Sequence, residues 1–189
     1  HIYVGTPFDK EANEGCKSKG DYRSIDFAKI DSDFLPRPVF NFKDQKSVSD
    51  VLSQQDISAI DGYRLAWRNW VSRFNERTLI SAILPPKILH INKVLSCRFE
   101  DLESLCFVGG LFSSIMYDYF IRVKGIDGVW DSDILSLPLP NVSEKLRGEI
   151  VREMLMLSCV TSQYKDLWES VCESSWSMDR VHLTSLDRS

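Results

Sequence analysis

The chain has 189 residues, a formal net charge of −4 at pH 7, and 43% apolar and 26% charged residues. This length and composition predict one globular domain with a substantial core and room for a small appendage, and they exclude an intrinsically disordered chain. The negative balance excludes a protein that binds polyanions with its whole surface, so any contact with nucleic acid must be local.

The first third of the chain contains mostly polar segments. It begins on a strand-like run, His1 to Gly5, without an initiator methionine, and we expect it to be a piece of a longer protein. Lys10 to Gly20 predicts a surface loop. Phe34 to Pro38 predicts an extended segment, because each proline biases the preceding residue away from helix. Asn41 to Asp56 is polar, and we expect a mobile excursion there.

The centre of the chain, Tyr63 to Pro86, predicts a β-hairpin. Tyr63, Leu65 and Trp67 alternate with Arg64, Ala66 and Arg68, which is the pattern of a half-buried strand. Leu79 to Leu84 is an apolar run that stops at two prolines, as expected of a more buried strand. Between them, Ser72 to Arg77 predicts the hairpin loop, with Asn75 as its turn former.

Positive charge is concentrated in the same region. Tyr63 to Arg98 contains seven basic residues and one acidic residue, so this segment carries a net charge of +6 and the rest of the chain −10. Two interpretations remain open from composition alone. The segment forms either a surface for anions or nucleic acid, or a solvated sheet face with scattered ion pairs.

A third strand and one long helix follow the hairpin. Ile88 to Arg98 predicts the strand, and Asp101 to Lys124 predicts the helix, which Gly125 ends. Gly109 and Gly110 within this helix predict close packing against the sheet; without a G-x-G-x-x-G pattern they do not indicate a phosphate-binding loop. The apolar stripe of the helix comprises Leu102, Leu105, Cys106, Val108, Phe112, Ile115, Met116, Tyr119, Phe120 and Val123.

The C-terminal part predicts one further strand and two helices. Trp130 to Pro140 predicts the strand, and Asn141 is expected to cap a helix with Glu144 completing a capping box. A second helical run covers Tyr164 to Val171. The predicted fold class is α+β: a twisted mixed β-sheet backed by a long helix, with a C-terminal helical extension. The predicted divisions are a body at 1–140, the extension at 141–176 and a tail at 177–189.

The cysteines and histidines favour neither disulfides nor a metal site. The five cysteines are odd in number and no pair has C-x-x-C spacing, which predicts free thiols in a reducing, cytoplasmic compartment. The three histidines lie far apart without clustered cysteine or acidic partners, so we expect no metal. The most apolar stretch, Leu105 to Met116, is too short to cross a bilayer, and we expect no membrane partner.

The order of several motifs resembles a known family. An arginine-bearing aromatic strand, an N-E-R-T-L-I run and an apolar strand closing on two prolines occur at Arg64 to Arg68, Asn75 to Ile80 and Ala82 to Pro86. This order resembles the C-terminal target-recognition region of bacterial adenine-specific DNA methyltransferases of restriction–modification and phage-defence systems, especially the fused type IIG kind. Similar sequence segments at Tyr3 to Phe8 and Leu157 to Trp168 extend the resemblance over nearly the whole chain.

The resemblance implies a DNA sequence-recognition domain. Its partners would be double-stranded DNA and a methyltransferase catalytic domain of the same protein, which uses S-adenosylmethionine and flips the target adenine. That catalytic half carries N-P-P-Y and F-x-G-x-G motifs, and neither occurs here. We therefore expect no catalytic residue and no bound cofactor in this chain. The sequence departs from the family at Lys87, where a glycine is expected after the two prolines.

The candidate DNA contacts lie on and beside the hairpin. Arg64 and Arg68 are expected to project from one strand face about 13 Å apart, within reach of neighbouring phosphates. Arg73 and Asn75 lie in the turn, and these residue types pair with guanine and adenine edges. The alternatives are ion pairing for the arginines and a turn-forming role for Asn75. The full candidate set is Arg64, Arg68, Arg73, Asn75, Arg77, Lys87, His90 and Asn92.

The two tryptophans of the predicted hairpin are expected to lie in different environments. Trp67 is expected in the core. Trp70, on the opposite strand face, is expected to pack under the loop, with stacking on a base as the alternative.

The rival functions are a type I specificity subunit, a protein–protein interaction module with a basic face, and a free-standing enzyme. The absence of any catalytic motif disfavours the last of these.

Overall fold

The computed structural model describes residues 2–3, 10–26, 29–35, 60–90, 92–173 and 176, and the architecture below concerns these residues. The predicted excursion at 41–56 and the tail at 177–189 lie outside them. So do the prolines of the predicted extended segment and residues 4–8 of the motif near the start.

A three-stranded antiparallel sheet carries the predicted hairpin. Its order is β5 (Ser81–Leu84), β4 (Arg64–Arg68) and β7 (Val94–Cys97). Arg64 pairs with Leu84 in the β4–β5 register. The predicted hairpin is therefore confirmed, but the strands are shorter than predicted, and the loop between them covers residues 69–80.

The central strand β4 is buried on both faces, so the prediction of a half-buried strand is wrong. Leu65 and Trp67 enter the main core on one face. On the other face, Ala66 packs with Leu84 and Val94 in a second, smaller cluster. A strand that is covered on both sides loses the solvent face that alternation normally marks.

Two smaller sheets use the remaining strands. The predicted third strand divides into β6 (Leu89–His90) and β7, and β6 pairs in parallel with β1 (Ile2–Tyr3). β2 (Lys10–Ala12) pairs antiparallel with β3 (Tyr22–Ser24), so part of the predicted loop is a strand. Parallel and antiparallel pairs thus occur together, and the α+β class is confirmed.

The predicted long helix is two helices joined at a sharp bend. α1 covers Leu102–Ser113 and α2 covers Ile115–Lys124, with an angle of 61° between them. Ser114 has extended backbone angles, and its hydroxyl accepts a hydrogen bond from the Tyr117 N–H (3.3 Å). A serine that caps a new helix competes with continuation of the old one, which explains the break.

The bend turns most of the predicted apolar stripe of α2 toward solvent. On α1 the prediction holds, because Leu105, Cys106 and Phe112 are buried in the main core. On α2 only Tyr117 and Ile121 contribute large apolar side chains to that core. The exposed stripe residues of α2 are Ile115, Met116, Tyr119, Phe120 and Val123.

The predicted strand from Trp130 to Pro140 is wrong. A short helix, α3 (Asp131–Leu135), occupies its first half, and none of its described residues pairs in a sheet. The Asp133 carboxylate accepts a hydrogen bond from the Trp130 N–H (3.0 Å). A carboxylate in that position satisfies one of the free backbone donors of a helix start, and this favours helix over strand.

Two helices close the described chain. α4 covers Glu144–Ser158 and begins after Ser143, which accepts a hydrogen bond from Leu146 N–H, so the predicted cap at Asn141 is two residues early. α5 covers Lys165–Val171, which confirms the second predicted helix.

The C-terminal helices share the main core with the sheet. A Cβ atom added to Gly110 would lie 2.5 Å from Ile150 Cγ2, so the predicted close approach is real but is made to α4 rather than to the sheet. Tyr164, in the 3-10 turn before α5, donates to the Ile83 carbonyl (2.8 Å). The core side chains from these helices are Val151, Met154, Leu155 and Leu167.

Within the described ranges, no single helix has the length and apolar composition needed to cross a bilayer. Only α1 and α2 together, despite their bend, meet those two criteria.

Candidate nucleic-acid interface

The β4–β5 loop, residues 69–80, is fixed to α2 by a buried carboxylate. Asp118 is 6% exposed and accepts hydrogen bonds from the backbone N–H groups of Thr78 (2.6 Å) and Leu79 (2.8 Å). Arg77 and Arg122 lie 3.5 and 3.4 Å from the same carboxylate. Because a buried charge is costly unless it is paired and hydrogen-bonded, this arrangement specifies one position for the end of the loop.

Arg122 holds the outer part of the same loop. Its Nη2 donates to the carbonyls of Asn75 (3.0 Å) and Glu76 (2.7 Å), and its Nε donates to Thr78 Oγ1 (3.1 Å). Sequence reasoning missed this role. The available signal was an aspartate followed four residues later by an arginine on one helix, the spacing at which such side chains meet.

Arg77 connects the loop to the break between α1 and α2. Its Nη2 donates to the carbonyls of Ser113 (2.9 Å) and Ser114 (3.2 Å). The last carbonyls of a helix lack partners within the helix, and a guanidinium is well suited to satisfy them. The structure therefore places Arg77 in the alternative role considered for it, pairing with an acid and supporting the loop.

Arg64 is buried, and the prediction that it projects into solvent is wrong. The residue is 5% exposed, and its guanidinium donates to Ser96 Oγ (3.3 Å) and to the Ile88 carbonyl. Burial lowers the pKa of this guanidinium. His90 joins the same cluster, because its Nε2 lies 2.7 Å from Ser96 Oγ. Arg64 thus connects β4 to Ile88 and Ser96 on the second face of the sheet.

The apex of the loop is exposed and basic. Arg73, Phe74 and Asn75 all face solvent, and Phe74 is 88% exposed. The Arg73 guanidinium lies 5.4 Å from the centre of the Phe74 ring. The structure thus brings two predicted contacts, Arg73 and Asn75, to one projecting point on a fixed backbone.

The remaining predicted contacts are dispersed around the sheet. Arg68 ends β4 and is half-buried, while Asn92 is exposed before β7. Lys87 is exposed and has a φ of 65°, in the left-handed region that favours glycine. The position after the two prolines therefore has the backbone conformation for which a glycine was expected.

The two neighbouring tryptophans differ in environment. Trp67 is buried, as predicted, and its Nε1 donates to the Val129 carbonyl (3.2 Å). Trp70 is 59% exposed, so the prediction that it packs under the loop is wrong. The Lys93 ammonium lies 3.3 Å from the centre of the Trp70 ring, within the range of a cation–π contact.

The described ranges contain no cluster of metal ligands. No group of three or more His, Cys, Asp or Glu residues there could hold a metal ion. All five cysteines are free. Burial raises the pKa of the Cys106 and Cys159 thiols to about 12, which makes both poor nucleophiles at neutral pH.

Comparison with known proteins finds no match: no family model, no curated protein and no solved structure is similar to this chain. Its function is therefore inferred from its own residues.

Proposed function

We propose that this chain is the DNA sequence-recognition domain of an adenine-specific DNA methyltransferase of a restriction–modification or phage-defence system. The observation that carries the proposal is the β4–β5 loop, which presents Arg73 and Asn75 at an exposed apex. Arginine and asparagine make the bidentate contacts that distinguish guanine and adenine in the major groove. A loop held on a rigid scaffold is suited to such recognition.

Three side chains hold the backbone of the loop in the absence of DNA. Asp118 and Arg122 satisfy its N–H groups and carbonyls, and Arg77 anchors it to the α1–α2 junction. Pre-organisation of this kind reduces the entropy lost on binding. The loop apex would therefore meet a groove with its backbone already in place.

The proposed phosphate contacts are fewer than the sequence suggests. Arg64 and Arg77 make contacts within the protein, so the proposed phosphate contacts are limited to Arg68, Arg73, Lys87 and Lys93. Phosphate contacts position a protein on DNA, whereas base contacts carry sequence information. We assign Arg68 to the first role, and Arg73 with Asn75 to the second.

Methyl transfer and the binding of S-adenosylmethionine belong, in this proposal, to a catalytic domain elsewhere in the same protein. We place the protein in the bacterial cytoplasm, where its DNA lies. Five free cysteines in the folded chain support a reducing compartment.

The proposal is tested by selecting duplexes from a random-sequence DNA library with the 189-residue chain. We expect enrichment of one short motif, and loss of that enrichment in an Arg73→Ala/Asn75→Ala variant. Lys145→Ala removes an exposed charge from α4 and serves as the matched control. If the chain enriches no sequence, or if the double variant selects the same motif, the loop is not a sequence reader.

A second candidate function, a protein–protein interaction module, is favoured by the exposed stripe of α2. Ile115 is 78% exposed, and Met116, Tyr119 and Val123 continue the stripe at helical spacing. Apolar patches on monomeric proteins are commonly interaction sites. In this candidate the partner binds α2 rather than the basic face. The double variant Ile115→Glu/Val123→Glu should then abolish binding of the protein partner without changing DNA binding. If the partner still binds the double variant, the exposed stripe of α2 is not its binding site.

A further inference from the structure

Two exposed tryptophans lie close to Gly128: Trp70, at the start of the β4–β5 loop, and Trp130, before α3. Trp70 forms an antiparallel bridge with Gly128, so the two residues project to the same side. Trp130, two residues further along, shares that side. Its Nε1 lies 3.2 Å from where a Cβ on Gly128 would stand. The indole of Trp130, itself 57% exposed, therefore folds back over the glycine toward Trp70.

Four hydrogen bonds fix the two short segments against each other. Val129 N–H donates to the Asn69 carbonyl (2.7 Å), and Val71 N–H donates to the Asp127 carbonyl (3.2 Å). The side-chain N–H groups of Trp67 and Asn69 both donate to the Val129 carbonyl, each at 3.2 Å. The segments that carry the exposed indoles are thus held in place by the core beneath them.

A buried acceptor beside Gly128 lacks a donor within the described ranges. Asn69 is 1% exposed, and its Oδ1 has no hydrogen-bond donor in the described part of the chain. This oxygen lies 3.8 Å from the Cβ position at Gly128. Tryptophan is highly buried on average, so two exposed tryptophans on paired neighbouring segments indicate a ligand surface.

Lys93 determines which ligand chemistry fits. Its ammonium lies 3.3 Å from the centre of the Trp70 ring, and a cation in that position repels a second cation. Ammonium ligands, such as a methylated lysine, are therefore excluded. A flat, uncharged ring that carries an anionic group fits, because the ring can stack on an indole face that Lys93 does not cover while the anion pairs with Lys93. Arg68, two residues before Trp70 on the same strand face, adds positive charge nearby.

We infer that Trp70, Lys93 and Trp130 form a binding site for an unpaired nucleobase and its phosphate, in single-stranded or locally opened DNA. The inference rests on the proposed function only in taking DNA as the partner. It adds a stacking site that is separate from the loop apex. Stacking tolerates any base, because every base has a π-face, so this site would add affinity without sequence preference.

The test compares two fluorescein-labelled strands by anisotropy at low salt: an eight-nucleotide oligothymidylate, and an abasic strand with the same number of phosphates. We expect the strand with bases to bind about tenfold more tightly. Trp70→Ala/Trp130→Ala should remove this preference and leave abasic binding unchanged. Lys93→Ala should weaken the binding of both strands.

Two further variants separate stacking from folding. Gly128→Ala keeps both tryptophans but crowds Trp130, and should reduce the preference several-fold without unfolding the chain. Tyr119→Ala removes another exposed aromatic, on α2, and should change nothing.

Equal binding of the two strands by the unmodified chain overturns the inference, as does a preference that survives both the double variant and Gly128→Ala. Either result leaves the proposed function intact if duplex selection still depends on Arg73 and Asn75. If neither duplex nor single strands bind, both proposals are wrong.

Discussion

Asp118 and Arg122, one turn apart on α2, satisfy opposite kinds of backbone group in the same loop. Asp118 accepts from the N–H groups of Thr78 and Leu79, while Arg122 donates to the carbonyls of Asn75 and Glu76. The two side chains also lie 3.4 Å from each other. Residues 75–79 of the β4–β5 loop are therefore held by one face of α2.

Replacement of Asp118 should destabilise the chain strongly. Asp118→Ala leaves two buried N–H groups without an acceptor and removes the partner of two arginines, which we expect to cost about 3 kcal/mol. Urea unfolding followed by circular dichroism measures the loss. Asp127→Ala, at an exposed aspartate, is the control and should change stability by less than about 0.5 kcal/mol. Equal effects at both positions would contradict the anchoring role.

Truncation of Phe112 should destabilise the chain far more than truncation of Ile115, although both residues belong to the predicted apolar stripe. Phe112 is 2% exposed and packs edge-on against Trp67, so Phe112→Ala should cost about 3–5 kcal/mol. Ile115 lies beyond the bend and faces solvent, so Ile115→Ala should cost less than about 0.5 kcal/mol. Denaturant unfolding of the two variants measures both effects. A large loss of stability in Ile115→Ala would mean that this face of α2 is buried and not exposed to solvent.

Lys87 should tolerate glycine better than alanine. Its φ of 65° strains any residue with a Cβ, by about 1–2 kcal/mol, and glycine relieves that strain at an entropic cost of about 0.5–1 kcal/mol. Lys87→Gly should therefore be neutral or more stable by up to about 1 kcal/mol. Lys87→Ala removes the same charge without relieving the backbone, and so is the matched control. A thermal unfolding midpoint of Lys87→Ala equal to or above that of Lys87→Gly would contradict backbone strain at this position.

The sequence predicted correctly those elements whose signals lie in a few adjacent residues. The hairpin follows from alternation and two closing prolines, and both ends of the α1–α2 pair were predicted from Asp101 and Gly125. Asp101 accepts from the Ser104 N–H (2.6 Å), and Gly125 has a φ of 65°. Caps of this kind depend on a few adjacent residues, so they can be recognised without tertiary information.

Three of the failures involve contacts between distant residues. Arg64 alternates with apolar neighbours as an outward residue would, but its partners are supplied by Ile88 and Ser96 from other segments. Asp118 matches an ordinary helical ion pair with Arg122, and its bonds to the loop cross about 40 residues of chain. Trp130 lacked any local signal for its position, since that depends on pairing between residues 69–71 and 127–129.

Arg68 and Arg73 should have separable effects on DNA binding. Arg68 ends a regular strand, where a phosphate contact would be independent of sequence, so Arg68→Ala should weaken binding to all duplexes similarly. The slope of log K against log salt should fall by about one. Arg73 lies at the loop apex, and Arg73→Ala should instead remove about 1–3 kcal/mol of preference for one base pair.

The measurement for this pair is binding of both variants to the selected duplex and to single-mismatch duplexes across a salt series. Arg64→Ala is the matched control, because it removes a charge of the same island from a buried site. It should lower stability while leaving the salt slope unchanged. Uniform loss of affinity in both Arg68→Ala and Arg73→Ala would show that the loop apex contacts only phosphate. No change in either would show that the basic island is a solvated face, because counterion release accompanies every phosphate contact that a cation makes.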